Sequence, residues 1–542
     1  MWAGQSLQCG KAAHAAGTSV SQALPVSLAE RLWARDATLW PGEEIAQTAI
    51  HDRLGWLDSP RWLVGHQASL TDWASEIRGR GFSQVVLIGM GGSSLAAEVL
   101  AEIFGPSGDG LSLTILDNTH PDAITEALEN RAWSRILFIF SSKSGTTIEV
   151  QTLCAWVLDN LEEQGVAEPG SQCIAITDTG SPLARLAEQR HFLDCLETPS
   201  DVGGRFSALT AFAMAPGALL GIDLQTMAQS ARDMAEHCSA QDGGVNPGLS
   251  LGIWLAEQYL AGRDCLQLCI DEQYRAFGVW LEQLIAESTG KEGKGILPLE
   301  DAVSAAPESR VMKVVLGAKS NASFWQQHPE TDGTTVPSRR ISLEANTDLG
   351  GEFFRWCFAV AIAGSIMQLN PFDEPDVAAT KATTRLLLDG EGLPGSYASL
   401  TPEELGACLA SANDGTYLAI LTYLPAEPAL FDVLEDFAES VRECFGLPVT
   451  INSGPRYLHS TGQLHKGGPS SGMFLFVRSV PERDLDIFDE DFGFAHLNHS
   501  QAEGDRAVLV ERGRSVSRIE LVGPTMSCVA QLRGALAPML RA

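Results

Sequence analysis

No apolar run in this 542-residue chain reaches the roughly 18 residues that a membrane span needs. A long one, Trp356 to Ala363, is broken by Gly364 and Ser365. The first 30 residues, with a lone Lys11 and polar insertions, lack the charged-then-apolar plan of a secretory signal. Cations are scarce: 37 Lys and Arg stand against 68 Asp and Glu, a formal charge of −31. So acidic a chain is unsuited to gripping nucleic acid or an anionic membrane through a general field. Any anion it binds needs a local nest of backbone N–H groups and a few placed cations. A disulfide framework is also excluded. The 11 cysteines are odd in number, scattered from Cys9 to Cys528 without a C-x-x-C pair, and read as reduced thiols of a cytoplasmic protein. With 45% apolar and 19% charged residues, the composition is that of a folded chain of roughly two to four domains.

From residue 84 onward, short apolar runs alternate with amphipathic stretches. Gln84–Ile88, Leu111–Leu116, Arg135–Ile139, Cys173–Thr177 and Phe192–Leu196 have the length of buried parallel strands, with helical patterns between them. The repeat predicts a doubly wound α/β sheet. A second such unit is expected from about Pro247, with strands at Cys265–Ile270, Val311–Leu316 and Ser338–Leu343 and a buried helix at Phe353–Gln368. Gly390–Ser399 reads as a linker. Beyond it, strands at Tyr417–Tyr423, Val449–Asn452, Gly472–Val480 and Ser517–Val522 give a third α/β region, whose strand-then-helix opening resembles that of the second. The expected domains are thus a helical arm over 1–60, α/β units over 61–230 and 231–390, and a C-terminal α/β region over 391–542. Five tryptophans between residues 33 and 73 read as a helical packing layer.

Two loops point to an anion. Gly89-Met90-Gly91-Gly92-Ser93-Ser94 follows a strand and opens a helix, where free N–H groups attract negative charge. It is no dinucleotide fingerprint, since the third glycine of that motif falls on Ser94. Ser141-Ser142-Lys143-Ser144-Gly145-Thr146-Thr147 surrounds one lysine with five hydroxyls at another helix start. Neighbouring strand ends share one crevice, so the pair predicts a phosphate or similar tetrahedral anion. Arg205, after Gly203-Gly204, is a candidate for stabilising developing negative oxygen charge, with a surface ion pair as the plainer reading. Gln283 and Glu287 share a helix face with Trp280 and Leu284, which would desolvate the carboxyl and raise its pKa toward a general base's range. Ordinary surface exposure is the alternative. Lys381 has no local argument against being solvent-facing. Gly454–Gly468 concentrates His459 and His465 with two cations; their i, i+6 spacing without a nearby carboxylate is poor for a metal, so no metal is expected.

In combination these motifs resemble the glucose-6-phosphate isomerase family, in particular the isomerase half of bifunctional transaldolase/glucose-6-phosphate isomerase proteins. The similarity runs from about residue 30 to 525, including Arg31-Leu32-Trp33-Ala34-Arg35-Asp36, the Asn370–Pro375 turn and His459–Gly468. Only 83 residues precede the first strand, so no transaldolase barrel is expected ahead of it. The resemblance implies two doubly wound sugar-isomerase domains of flavodoxin-like type, an aldose–ketose isomerase acting on glucose 6-phosphate, and no cofactor. It implies Gly92, Ser93, Ser142, Lys143, Ser144 and Thr147 around the sugar phosphate, Arg205 at the enediolate and Glu287 as proton shuttle with Gln283 beside it. Lys381 matches the family's C-terminal active-site lysine by its distance from Phe372-Asp373. Glu374 replaces the family's usual glutamine. The ring-opening histidine, often supplied by a neighbouring subunit in the family, is expected to be His465, then His459, with His328 silent. A sulfo sugar or mannose 6-phosphate as substrate, a non-catalytic sugar-phosphate sensor, a homodimer or pseudo-dimeric monomer, and association with a separate transaldolase are the further readings.

Overall fold

The computed structural model describes residues 25–129, 131–240, 244–300, 306–329, 336–393 and 397–541. Three parallel sheets organise them. The first contains β1 (Gln84–Gly89), β2 (Ser112–Leu116), β3 (Ile136–Ser141), β4 (Cys173–Asp178) and β5 (Asp194–Thr198) in the order β2-β1-β3-β4-β5. Gln84 pairs with both Ser112 and Ile136, which puts β1 at the point where the winding reverses. That is the flavodoxin-like order, and its crevice lies outside the carboxyl ends of β1 and β3. Val85–Ile88 and Ile136–Phe140 are buried throughout, as the continuous apolar runs required. The strand expected at Phe192–Leu196 begins two residues later. As an edge strand, β5 tolerates Asp194 at its start and extends past Glu197, where the apolar run had ended.

The second sheet, β6 (Cys265–Ile270), β7 (Leu297–Glu300), β8 (Val311–Ala318) and β9 (Ser338–Leu343), runs β7-β6-β8-β9. β7 escaped the sequence reading because its four residues include Pro298 and sit on an edge. The third, β10 (Tyr417–Tyr423), β11 (Val449–Ser453), β12 (Gly472–Val480) and β13 (Ser515–Val522), runs β11-β10-β12-β13. Both four-stranded sheets therefore place their first strand between the second and third. The long apolar helix is Leu349–Met367; by length and composition it could cross a membrane, but it is buried inside the second unit. Trp33, Trp56, Phe354 and Phe358 form aromatic contacts around it, so the early tryptophans do pack a core.

The C-terminal unit is not a loosely tethered appendage. Cys265, Ala286 and Leu297 of the second unit share an apolar layer with Tyr417, Leu421 and Phe474 of the third. Helix Val377–Leu388 is tied to helix Phe494–Glu511 by a bond from Thr380 Oγ1 to Asp505 Oδ1 (3.1 Å). Among the described residues most of the cysteines are buried.

Candidate active site

At the switch point of the first sheet, the two glycine- and hydroxyl-bearing loops meet. The first loop must approach another backbone very closely: a Cβ on Gly92 would lie 2.1 Å from the carbonyl carbon of Gly204. This contact lets the turn Gly204–Phe206 deliver Arg205 beneath the loop. The second loop runs from β3 into helix Ile148–Glu163, with the Thr147 backbone at the helix start.

Together they open on a cleft of about 730 Å³ whose lining includes Gly92, Ser93, Lys143, Ser144, Thr147, Arg205, Gln283, Glu287, Lys381 and His459. Ten of the twelve residues singled out from the sequence thus share one cavity. Ser142 stands just behind it, its hydroxyl 2.9 Å from that of Thr147. Lys143 is not a free cation, since its ammonium pairs with Asp178 and donates to the Ser200 carbonyl at 3.0 Å.

Glu287 is buried near the end of helix Arg275–Thr289. Gln283 Nε2 donates to its Oε2 at 3.1 Å, and Arg205 Nη1 stands 3.4 Å from Oε1. Burial raises the Glu287 pKa above the ordinary carboxylate value, against the pull of Arg205 and with the help of Glu374. Arg205 is itself held on every side. Its Nε donates to Ser288 Oγ (2.9 Å), Nη2 to the carbonyls of Pro371 (2.7 Å) and Asp373 (2.8 Å), and Nη1 to Glu374 (3.1 Å). Glu374 therefore serves the arginine rather than the anion nest.

His465 does not reach the cleft. Helix Gly462–Gly467 turns it inward, where it is wholly buried with Nδ1 3.1 Å from the Tyr417 hydroxyl and its ring against Phe474. Burial, with Lys466 and Arg514 nearby, pushes its pKa down to about 3. The cleft histidine is His459, which sits in the turn after β11 and lines the cavity. A strand-end signal could have favoured it, because ligand groups of parallel sheets gather just past the strand carboxyl ends. His328 lies elsewhere, its ring against Phe324.

Sequence reasoning also missed the support of this histidine. His459 Nε2 lies 3.0 Å from Oε1 of buried Glu149, which accepts from Gln501 Nε2 at 2.7 Å. Burial alone would raise the Glu149 pKa, yet the hydrogen-bonded His459 and nearby Lys381 hold it below the ordinary value. Gln283 Nε2 also donates to the His459 carbonyl (2.7 Å), so the amide beside Glu287 touches the histidine's backbone.

A family model described as "Phosphoglucose isomerase" matches residues 66–326. That range, 261 of the 542 residues, is similar to the phosphoglucose isomerase family. A glucose-6-phosphate isomerase of Cyanothece sp. is 32% identical over 265 residues, covering 48% of this chain and 49% of the relative. A probable glucose-6-phosphate isomerase of Haloarcula marismortui is 30% identical over 275 residues, covering 49% and 61%. The chain spans about half the length of the first curated relatives it matches. Among solved structures, a glucose-6-phosphate isomerase of Chlamydia trachomatis superposes with TM-score 0.51 at 18% identity, covering 68% of this chain and 78% of that one. A hypothetical protein of Thermus thermophilus superposes with TM-score 0.56 at 22% identity, covering 66% and 92%. These likenesses bear on the fold, an arrangement of doubly wound α/β units. The match to the phosphoglucose isomerase family contains both anion loops, Arg205, Gln283 and Glu287; Lys381 and His459 lie beyond it.

Proposed function

We propose that the protein interconverts glucose 6-phosphate and fructose 6-phosphate through a cis-enediolate. In this reading Ser93, Ser144 and Thr147, with the N–H groups of both loops, hold the phosphate. His459 takes the proton from the anomeric hydroxyl and returns one to the ring oxygen, opening the sugar. Lys381, which also lines the cleft, steadies the ring oxygen. Glu287 then removes the C2 proton, the C2–H electron pair forms the C1–C2 double bond, and charge collects on O1 and O2 beside Arg205. The same carboxyl delivers its proton to C1 while the O2–H proton passes to O1 and the O2 electron pair forms the C2 carbonyl. Nothing is gained or lost overall.

The observation that carries this reading is a buried carboxyl of raised pKa in the same cavity as an anion nest. A sensor of sugar phosphate would need the nest but not the base opposite it. Every group named belongs to one chain, so the reading calls for no histidine from a partner subunit. Turnover of fructose 6-phosphate, coupled to a dehydrogenase and run beside mannose 6-phosphate and a 6-sulfo sugar, tests it. Glu287→Gln should lower kcat by several orders of magnitude with the fold intact. Unimpaired turnover in that variant would refute the assignment of the base.

A further inference from the structure

His459 enters the cleft from a unit whose own sheet lies elsewhere, so its placement depends on how that unit is held against the other two. Arg456, three residues earlier in the same turn, is where their charges converge. Its Nη1 donates to Glu98 Oε1 at 3.1 Å and its Nη2 to Glu98 Oε2, a bidentate pair. Nη1 also stands 3.1 Å from Asp117 Oδ2. Glu98 lies on helix Leu95–Phe104, which rises from the glycine loop, and Asp117 directly follows β2. From the end of β11, Asn452 Nδ2 donates to Glu282 at 3.4 Å, the residue next to Gln283. One arginine of the C-terminal unit is thus shared by two carboxylates of the first, beside a tie to the helix of the second that carries Glu287.

A second observation concerns where the turn lands. Gly91 has φ +53°, and a Cβ built there would lie 2.5 Å from the His459 carbonyl oxygen and 2.9 Å from its Cβ. The histidine backbone therefore rests directly on the glycine loop, at a distance no other residue type permits without movement. Arg456 itself does not line the cavity.

We propose that Arg456 is a positioning residue for His459: it latches the histidine turn to Glu98 and Asp117, seats it on Gly91, and so completes the cleft from within one chain. The proposal rests on the isomerase reading and concerns how its histidine is held. An arginine suits the task because its planar fork meets a carboxylate at two points and a second carboxylate at its edge, which a lysine's point charge cannot do. Without the guanidinium, Glu98 and Asp117 would lose their shared partner and the turn its tie to the first unit.

Opening and reclosing a sugar ring exchanges its α and β anomers without moving the C2 proton. Anomer exchange of glucose 6-phosphate, read by magnetisation-transfer NMR, therefore reports on the histidine separately from the base. In a Glu287→Gln chain, adding Arg456→Ala should slow enzyme-catalysed exchange roughly 10²-fold, as expected for displacing a reacting group by about 1 Å. Affinity for glucose 6-phosphate should change little, and Arg456→Lys should recover only part of the loss. Glu98→Gln, a milder change that keeps the shape of the site, should give the same selective effect at smaller size and covers the case in which Arg456→Ala does not fold. Undiminished exchange in a folded Arg456→Ala or Glu98→Gln chain overturns the proposal. So does an equal fall in exchange and affinity, which would mark a general loosening. Absence of both isomerisation and anomer exchange in the unaltered chain would instead sink the isomerase reading, and this proposal with it.

Discussion

Gly91→Ala is the smallest change that tests whether the histidine turn must touch the glycine loop. The added methyl would meet the His459 carbonyl oxygen at 2.5 Å, Gln283 Nε2 at 2.8 Å and the His459 Cβ at 2.9 Å. Ordinary contact begins at 3.4 Å, so the His459 backbone must retreat by about 0.9 Å. A shift of about 1 Å in a reacting group costs on the order of 10²-fold in rate, or about 2.7 kcal/mol of transition-state stabilisation. The methyl also crowds Gln283, whose amide links the base and the histidine, so the loss should fall on kcat rather than KM. A separate cost of about 1–2 kcal/mol in stability comes from placing an L-residue at φ +53°. Gly446→Ala isolates that cost, because Gly446 is left-handed with open space around its Cβ position. Steady-state kinetics on both variants, with thermal melts, provide the comparison. Equal kcat values for Gly91→Ala and Gly446→Ala would show that the turn has no fixed seat, and the reasoning would fail.

Ser144→Ala combined with Thr147→Ala should raise KM more than it lowers kcat, since each lost bond to a charged oxygen is worth about 1.5–3 kcal/mol of uniform binding. An unchanged KM together with no competition by inorganic phosphate would move the anion site elsewhere. Glu282 gives a pH dependence: burial and the Glu300 carboxylate push its pKa from 4.5 up to about 7, against Arg456 and Asn452. Between those values the folded chain holds a proton that the unfolded chain has released, so this group makes stability fall as pH rises through the window and level off above it. Glu282→Gln should flatten that segment of the Tm–pH curve and raise Tm at pH 8; an unaltered slope would contradict the assignment.

The first unit was legible because its signals are local. Five apolar runs with helical spacing between them fix a doubly wound sheet, and loops of glycine and hydroxyl residues at strand ends can be read without knowing what faces them. Arg205 and Glu287 were legible as residue types, but their meeting was not, since it depends on a 3.4 Å contact between residues 82 positions apart. The histidine failed for the same reason. Within Gly454–Gly468 both candidates have similar neighbours, and only the inward turn of helix Gly462–Gly467 separates a buried ring from one that lines the cleft. Glu149 was invisible because a glutamate in the first turn of a helix is explained by its favourable interaction with the helix dipole. Its bond to His459, 310 residues away, leaves no trace in either segment alone.

The cleft draws on opposite ends of its helices, and on the proposed reading this lets one cavity hold an anion and still keep a base proton-hungry. Helix Ile148–Glu163 begins just after Thr147, and helix Leu95–Phe104 just after Ser94, so both point their N-termini at the nest. Each such end carries the equivalent of about half a positive charge, which favours phosphate in a protein of net charge −31. Glu287 occupies the last turn of helix Arg275–Thr289, at the negative end of its dipole. Burial and that position both oppose its ionisation, while Arg205, locked by Ser288, Glu374 and two backbone carbonyls, limits how far the proton affinity rises. Had the base been placed on the first turn of a helix, as Glu149 is, the dipole would have lowered its proton affinity. Glu149 is thereby suited to holding an imidazole, and Glu287 to taking a proton from carbon.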